Sequence, residues 1–472
     1  MASASLKRSR TAGSTKTKFT VSMWVKRSSV DAKYLMVNYT DDSNRGLIQF
    51  GGNNEFLFQS KYSNSNNAVL STNRKFRDTS AWYHFVLIGD STLATAGDRL
   101  KLYVNGVRET SFASETQISQ DGLFYMNEAT TNGFRVGEKG DGSDFFDGYL
   151  SHVIFLDGVA AAYTDFGETD TTTGIWKPKT SPSVTYGTNG FFLKFDNSAN
   201  MGLDSSGLGN NLTTTGSIIQ SKDTPSNVFA TINPLFVNDD GATNALTNGG
   251  NTYTSTTRGE WNNMTSTLGA TTGKWYWEVK FTQLINASTI YMASEGVAST
   301  DLAPANHNLG EGTRSGYGYG WLCGNRNTTS NTRYLKTVNG TATLTTDSNN
   351  TPVVAGDIVG VAWDATNGKL WFHKNGVYID DLSGNVGNPS TAAYPYHTGM
   401  QTGILYTVWA DNWQNASGTS LIKSYNFGNG YFGTTAVTSA ENPDDGNGIF
   451  EYDVPAGYRA LCTKSINATE YS

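Results

Sequence analysis

From Phe19 onward, apolar residues fall in short runs, several alternating with polar ones, and Gly, Asn, Asp and Ser separate them. FTVSMWVKR (19–27), LIQFGG (47–52), EFLFQS (55–60), AWYHFVLIGD (81–90) and RLKLYVNGVR (99–108) have the length and the β-branched and aromatic content of strands. In Leu100, Leu102 and Val104 every second residue is apolar, and Asn105-Gly106 follows, the dipeptide that best tolerates positive φ in a hairpin. FRVGEKG (134–140) and FFDGYLSHVIFLDG (145–158) continue the pattern, and AAAY predicts one short helix over 159–166. IWKPKTSP (175–182) reads as a connector, and QSKDTPSNVFATINPL (220–235), with two prolines and few periodic apolars, as a linker between domains. Beyond it the style repeats in KWYWEVKF (274–281), YGYGWLCGN (317–325), GDIVGVAWDATNGKLWFHKNGVYID (356–380), TGILYTVWADN (402–412), LIKSYNFGNGYF (421–432) and FEYDVPAGYRAL (450–461).

A chain of 472 residues is too long for one ordinary core, so two domains are expected: 1–219 and 236–472, joined by 220–235. Composition agrees with an all-β chain: 51 Gly, 12% aromatics and only 16% charged residues suit neither a helical enzyme nor a disordered segment. The net charge of −7 is uneven. Residues 1–231 hold 22 basic and 22 acidic groups, leaving 12 and 19 for residues 232–472, which also carry eight of the 11 Trp. No basic stripe for nucleic acid is expected. The one basic cluster, Lys7, Arg8, Arg10, Lys16 and Lys18, reads as a solvated strand edge or a subunit contact. Two cysteines imply no disulfide framework, and no run approaches the roughly 18 apolar residues of a membrane helix. The opening MASASLKRSRTAG has no apolar h-region, so synthesis in a cytoplasm is expected.

FTVSMWVKR, DTSAWYHFVLIGD followed by RLKLYVNGVR, and FFDGYLSHVIFLDG together resemble a concanavalin A-like, laminin-G-type domain over residues 19 to about 215. LDSSGLGNNLT (203–213) fits too, but such a segment usually stands near the start of these domains. Its strand is therefore expected to join from the C-terminal side, and no calcium position is carried over. Residues 236 to about 465 are similar to a SPRY (B30.2-like) domain through GKWYWEVKF, EGVAST (295–300), YGYGWLCGN, GDIVGVAWDATNGKLWFHKNGV and SYNFGNGYF (424–432). The resemblance implies two tandem antiparallel β-sandwiches, a concanavalin A-like jelly roll and then a SPRY-like sandwich. This tandem, rich in Asn, Gly and Thr, resembles virion proteins of tailed bacteriophages. It implies a tail-fibre or receptor-binding protein on the virion surface, with a capsid-decorating or head-fibre protein as the alternative.

Chemistry adds little that favours catalysis. Glycosidases of the concanavalin A-like fold work with paired carboxylates on one strand, and no E-x-D-x-x-E run occurs. Asp141, Asp144 and Asp147 sit in a Gly-rich loop as turn formers or as a metal site. Calcium is the ion they would suit, though no specific motif asks for it. GNGYFG (428–433) has the glycines of a dinucleotide loop but no helix after it. The five histidines, His84, His152, His307, His373 and His397, never come closer than 24 residues. A polysaccharide depolymerase is thus the second alternative, behind a non-enzymatic binder with no cofactor. Sugars are held by aromatic faces and amide or carboxylate side chains on loops of rigid sandwiches. VWADNWQN (408–415) offers Trp409, Asp411, Asn412 and Trp413; AAYPYHTG (392–399) offers Tyr394, Tyr396 and His397. Trp275, Trp277, Trp363 and Trp371 belong to the core. The expected partners are a host-surface glycan or protein, other virion proteins, and further copies of the chain, a trimer among the options. Nucleic acid and membrane insertion are not expected.

Overall fold

The computed structural model describes residues 4–10, 15–130, 132–171, 174–237, 244–256, 261–284, 291–302, 315–324, 332–339, 341–414 and 420–470. His307 lies outside them. The chain divides into two compact units, 1–220 with 224–226, and 221–223 with 227–472. Both are antiparallel β-sandwiches.

In the first unit, the strand Lys18–Arg27 alternates Phe19, Val21, Met23 and Val25 into the core with Thr20, Ser22, Trp24 and Lys26 on the other face. It lies within a six-stranded sheet ordered Phe191–Leu193, Gly148–Asp157, Lys18–Arg27, Trp82–Asp90, Leu100–Val104, Val107–Arg108. The facing sheet runs Phe112–Thr116, Ser65–Lys75, Glu55–Tyr62, Asn44–Phe50, Lys33–Asp41, Phe134–Val136, Ser5–Arg8, Thr213–Thr215. The last of these follows LDSSGLGNNLT, so the C-terminal part of the unit does supply an edge strand, pairing Lys7 with Thr213 and Ser5 with Thr215. The helix expected over 159–166 is only a 3-10 turn, Tyr163–Asp165. Apolar neighbours explain it: Val159, Ala161 and Tyr163 pack on Ile88, Ile154 and Phe166, so this stretch is a cover for the sheet's outer face. Part of the expected connector is a short strand as well, Trp176–Pro178, paired with Gly167–Thr169, while Pro182 lies beyond it.

Of the basic cluster only Lys7 is exposed, and the other four members are paired within the unit. Arg10 is buried against Asp157 at 2.9 Å, Lys16 meets Glu128 at 2.6 Å and Lys18 meets Asp90 at 3.0 Å. Arg8 donates to Asn210 at 2.5 Å. Asp157 also accepts the Asn127 and Asn189 amides, each at 2.9 Å, so its buried charge is solvated by protein donors. These contacts hold its carboxyl below the ordinary range even though burial pushes the other way.

The second unit stacks two sheets. One is ordered Ile232–Val237, Asn262–Ala270, Tyr406–Gln414, Tyr291–Ser299, Tyr317–Leu322, Thr332–Val338, Thr341–Asp347. The other is ordered Asn244–Thr247, Thr252–Ser255, Leu421–Asn426, Lys274–Gln283, Ile358–Asp364, Lys369–Lys374, Val377–Tyr378, with Arg459–Ala460 added in parallel to Lys274–Gln283. Trp275, Trp277, Trp321 and Trp363 fill the space between them. Trp371 is buried on an outer face, under the C-terminal segment with Phe450 and Tyr458. The linker reading of 220–235 holds only in part. Phe229 bridges Cys462, Ala230 donates to the Leu461 carbonyl and Ile232 starts a strand, so its second half is built into the sandwich. An eight-residue helix, Thr463–Glu470, closes the unit.

Candidate functional site

The strand Lys369–Lys374 turns at Asn375-Gly376, both in the left-handed region at φ 52° and 83°, pairs back as Val377–Tyr378, and the chain then runs as an irregular segment to Met400. That segment is pinned at many points. Asn350 exchanges hydrogen bonds with the Asp380 backbone at 2.8 and 2.9 Å. The Asp381 carboxylate accepts the backbone N–H groups of Ser383 and Asn385 at 2.8 and 2.9 Å. Bridges join Asp380 to Val386, Asn388 to Ala393, and Leu370 to His397. From below, the Trp371 indole donates to the Ala393 carbonyl at 2.8 Å. Gly387 is needed for this approach, since a Cβ there would stand 2.9 Å from Trp371 Cδ1.

Within the pinned segment, Ala392 and Tyr394 adopt φ of 57° and 47°, which costs a residue with a Cβ about 1 kcal/mol or more. The strain goes with display. Tyr394 is 53% exposed, and Leu382 and Val386, 42% and 59% exposed, lie in the same segment. Asn385 and Asn388 stand beside them, which adds amide groups to an aromatic and aliphatic surface.

Of the seven residues expected to bind, Tyr394 alone is displayed. Tyr396 is buried and donates to Asp347 at 2.8 Å. His397 is buried too, its Nε2 at 2.9 Å from the Gly320 carbonyl and its ring stacked on Tyr334 at 4.1 Å. VWADNWQ is no loop but the strand Tyr406–Gln414. Trp409 and Asp411 point to its outer side, where Trp409 Nε1 and the Asn263 amide donate to Asp411 Oδ1 at 2.5 and 2.6 Å and Ser294 donates to Oδ2 at 2.8 Å. Asn412 is buried on the inner side, and Trp413 is half-buried beside Trp261 at 6.5 Å. Five of these side chains are thus buried in the sandwich, and Trp413 is largely spent on it.

The carboxylate loop also resolves into turn chemistry. Asp141 accepts the Ser143 hydroxyl at 2.5 Å, pairs with Lys139 at 2.9 Å and accepts the Ser143 backbone N–H at 3.1 Å, which together hold its carboxyl below the ordinary range. Asp144 sits at φ 51° within the turn. Asp141, Asp144 and Asp147 are not brought together as ligands, and among the described residues no group of three or more His, Cys, Asp or Glu is arranged to hold a metal.

Two Ser–His contacts and one buried glutamate have the look of catalytic parts. Ser22 Oγ lies 2.8 Å from His84 Nε2. The Trp176 indole N–H, however, donates to His84 Nδ1 at 2.8 Å, so Nδ1 is the bare nitrogen and Nε2 carries the proton. His84 therefore cannot take a proton from Ser22. Its ring is stacked on Trp24 at 4.6 Å, and burial lowers its pKa to about 3. Ser151 Oγ lies 2.7 Å from His152 Nδ1, in a ring whose pKa burial lowers to about 4. Glu278 is raised to about 7 by burial, a value that suits a general acid. Yet the groups pointed at it are the Glu451 and Tyr452 backbone N–H groups at 2.9 Å, the Tyr276 hydroxyl at 3.0 Å and the Asn426 amide at 3.3 Å. It anchors residues 451 and 452 to the sheet, and Tyr276 in turn meets His373 Nε2 at 2.6 Å. No sequence signal marked Glu278, because apart from Tyr276 its donors lie 148 and more residues away.

Residues 3–163 match the laminin-G-type family model described as the concanavalin A-like lectin/glucanases superfamily. No curated protein matches the chain in sequence. Among solved structures, the chain is similar to the SPRY domain of human HERC1, at 13% identity over 40% of this chain and 96% of that one with a TM-score of 0.26. It is similar to the heptameric SAP-like pentraxin of Limulus polyphemus at 16% identity, 34% and 71% coverage and a TM-score of 0.25. For mouse laminin alpha1 chain domains LG4-5 the values are 7%, 89%, 83% and 0.27. The family match lies within the first unit, whose antiparallel sandwich agrees with a concanavalin A-like fold in an all-β chain.

Proposed function

We propose that the protein is a non-enzymatic recognition protein that binds a surface glycan or a protein, with the 379–396 segment of its second unit as a contact face. The observation that carries this reading is Tyr394, an aromatic ring held out in a strained backbone on a segment fixed from below by Trp371. A surface pre-organised in this way loses little freedom on binding, and exposed aromatics flanked by amides suit both sugar faces and peptide side chains. The lectin-type family match of the first unit favours the same class of function. As the setting, we propose the surface of a tailed-phage virion, tail or capsid, where the chain meets a host glycan and neighbouring virion proteins as a homo-oligomer. The Asn-, Gly- and Thr-rich, cysteine-poor composition and the resemblance of the tandem support that setting.

Glycan-array and whole-cell binding of the purified chain test the reading. Tyr394→Ala should weaken binding about tenfold or more and leave the melting temperature unchanged. Binding that is indifferent to Tyr394, or sustained release of reducing sugar from the bound polysaccharide, would overturn it. Labelled antibody on purified particles, viewed by electron microscopy, tests the setting separately: absence from the virion removes it.

A further inference from the structure

Between the sheets of the second unit, Lys423 and Glu295 form an ion pair at 2.7 Å with both side chains fully buried. Lys423 stands on Leu421–Asn426, between Leu421 and Tyr425, which face the core; Glu295 stands on Tyr291–Ser299 of the facing sheet, between Ala293 and Val297, which do the same. The Lys423 ammonium also donates to the backbone carbonyls of Ser294 at 3.1 Å and Asp411 at 3.4 Å, and it lies over the Phe281 ring at 5.3 Å. Tyr425 donates to Glu295 at 3.1 Å.

Asn412 borders this pair. Register places it opposite Ala293, and Ala410 opposite Glu295, so Asn412 and Glu295 are diagonal neighbours on one inner face. The carbonyl of Asp411 that Lys423 touches belongs to the peptide leading into Asn412, and backbone geometry keeps the Asn412 Cβ within roughly 3.5 Å of that oxygen. Asn412 is 1% exposed, and neither its Nδ2 nor its Oδ1 has a hydrogen-bond partner among the described residues. A buried amide with both ends unsatisfied, an amine and a carboxylic acid thus meet in one dry apolar compartment.

We propose that Lys423 and Asn412 join in an intramolecular isopeptide bond, with Glu295 carrying the protons. The Lys423 ammonium gives one proton to the Glu295 carboxylate, and the free amine attacks Cγ of Asn412. The new Nζ–Cγ bond forms and the Cγ–Nδ2 bond breaks as Glu295 passes its proton to Nδ2, which leaves as ammonia; the second Nζ proton then returns to Glu295. Nothing is oxidised or reduced. The product holds one amide, a neutral Glu295 and no buried ion. Burial favours that protonated form, and it raises the Glu295 pKa against the opposing pull of Lys423. The bond ties a strand of one sheet to a strand of the other.

Mass spectrometry of the full chain, denatured, tests this. The wild type should weigh about 17 Da less than its sequence, for one lost ammonia, and fragments carrying Asn412 and Lys423 should stay joined after cleavage at Trp413. Lys423→Arg and Glu295→Gln should restore the sequence mass, and Asn412→Asp should instead lose about 18 Da, as water. A folded wild type of full mass overturns the proposal, as does a deficit that persists in Lys423→Arg, which would locate it in a succinimide elsewhere. The wild-type masses decide the matter even where a variant fails to fold.

Discussion

Glu278 and the buried histidines pull stability in opposite directions as pH changes. Folded Glu278 keeps its proton to about pH 7, whereas an unfolded glutamate releases it near 4.5. The folded state therefore binds more protons across that window, and the contribution of this group to stability falls as pH rises through it. His84, His373 and His397 stay neutral to about pH 3 when folded, while unfolded histidine protonates near 6.5. Their contribution is present above 6.5 and is lost as pH falls below it. Glu278→Gln should isolate the first effect. Between pH 5 and pH 7.5 the variant should gain on the wild type by up to about 1.4 kcal/mol per pH unit in urea denaturation. An offset that is the same at both pH values would refute the raised pKa. Trp277→Ala should cost about 3 to 5 kcal/mol, toward the lower end, because the lost indole N–H has no partner among the described residues to leave behind.

At the scale of elements, strands with alternating apolar residues and Asn-Gly turns were legible, as were the core tryptophans 275, 277, 363 and 371. The strand Tyr406–Gln414 is legible only in its first half. Its polar stretch Asp411–Asn412 resembles a loop because the partners of Asp411 are supplied by remote strands, Asn263 and Ser294 being 148 and 117 residues away, and Asn412 is buried against the facing sheet. Outer-face cover is likewise invisible in one strand's pattern. Trp261 and Leu302 cover one side of this strand and the sandwich core the other, so period-two alternation disappears. Tyr394 was legible as an aromatic in a turn-rich segment, but its display depends on Trp371 and Gly387, which only the fold brings beneath it. Gly387→Ala should therefore push the segment off Trp371, at about 1 to 3 kcal/mol by overpacking, and weaken ligand binding along with it. Unchanged binding in a destabilised variant would detach the loop's geometry from recognition.

At the scale of the whole molecule, each unit has its own core, one centred on Phe19, Phe85 and Phe155 and the other on Trp275, Trp277 and Trp363. Calorimetry should resolve two transitions, with Trp277→Ala lowering one and leaving the other in place; a single transition that shifts as a whole would contradict independent cores. The charge is just as divided, with the deficit of 12 minus 19 in residues 232–472 and a balanced 22 and 22 before them. Both units also start and finish at one spot. Ser5–Arg8 lies against Thr213–Thr215 in the first, and Phe229 and Ala230 lie against Cys462 and Leu461 in the second. A domain whose two ends leave side by side can be spliced into a loop of another protein, or cut open and rejoined elsewhere, without drawing a strand out of its sheet. Each sandwich is in that sense a cassette, and recombination can move it between genes whole.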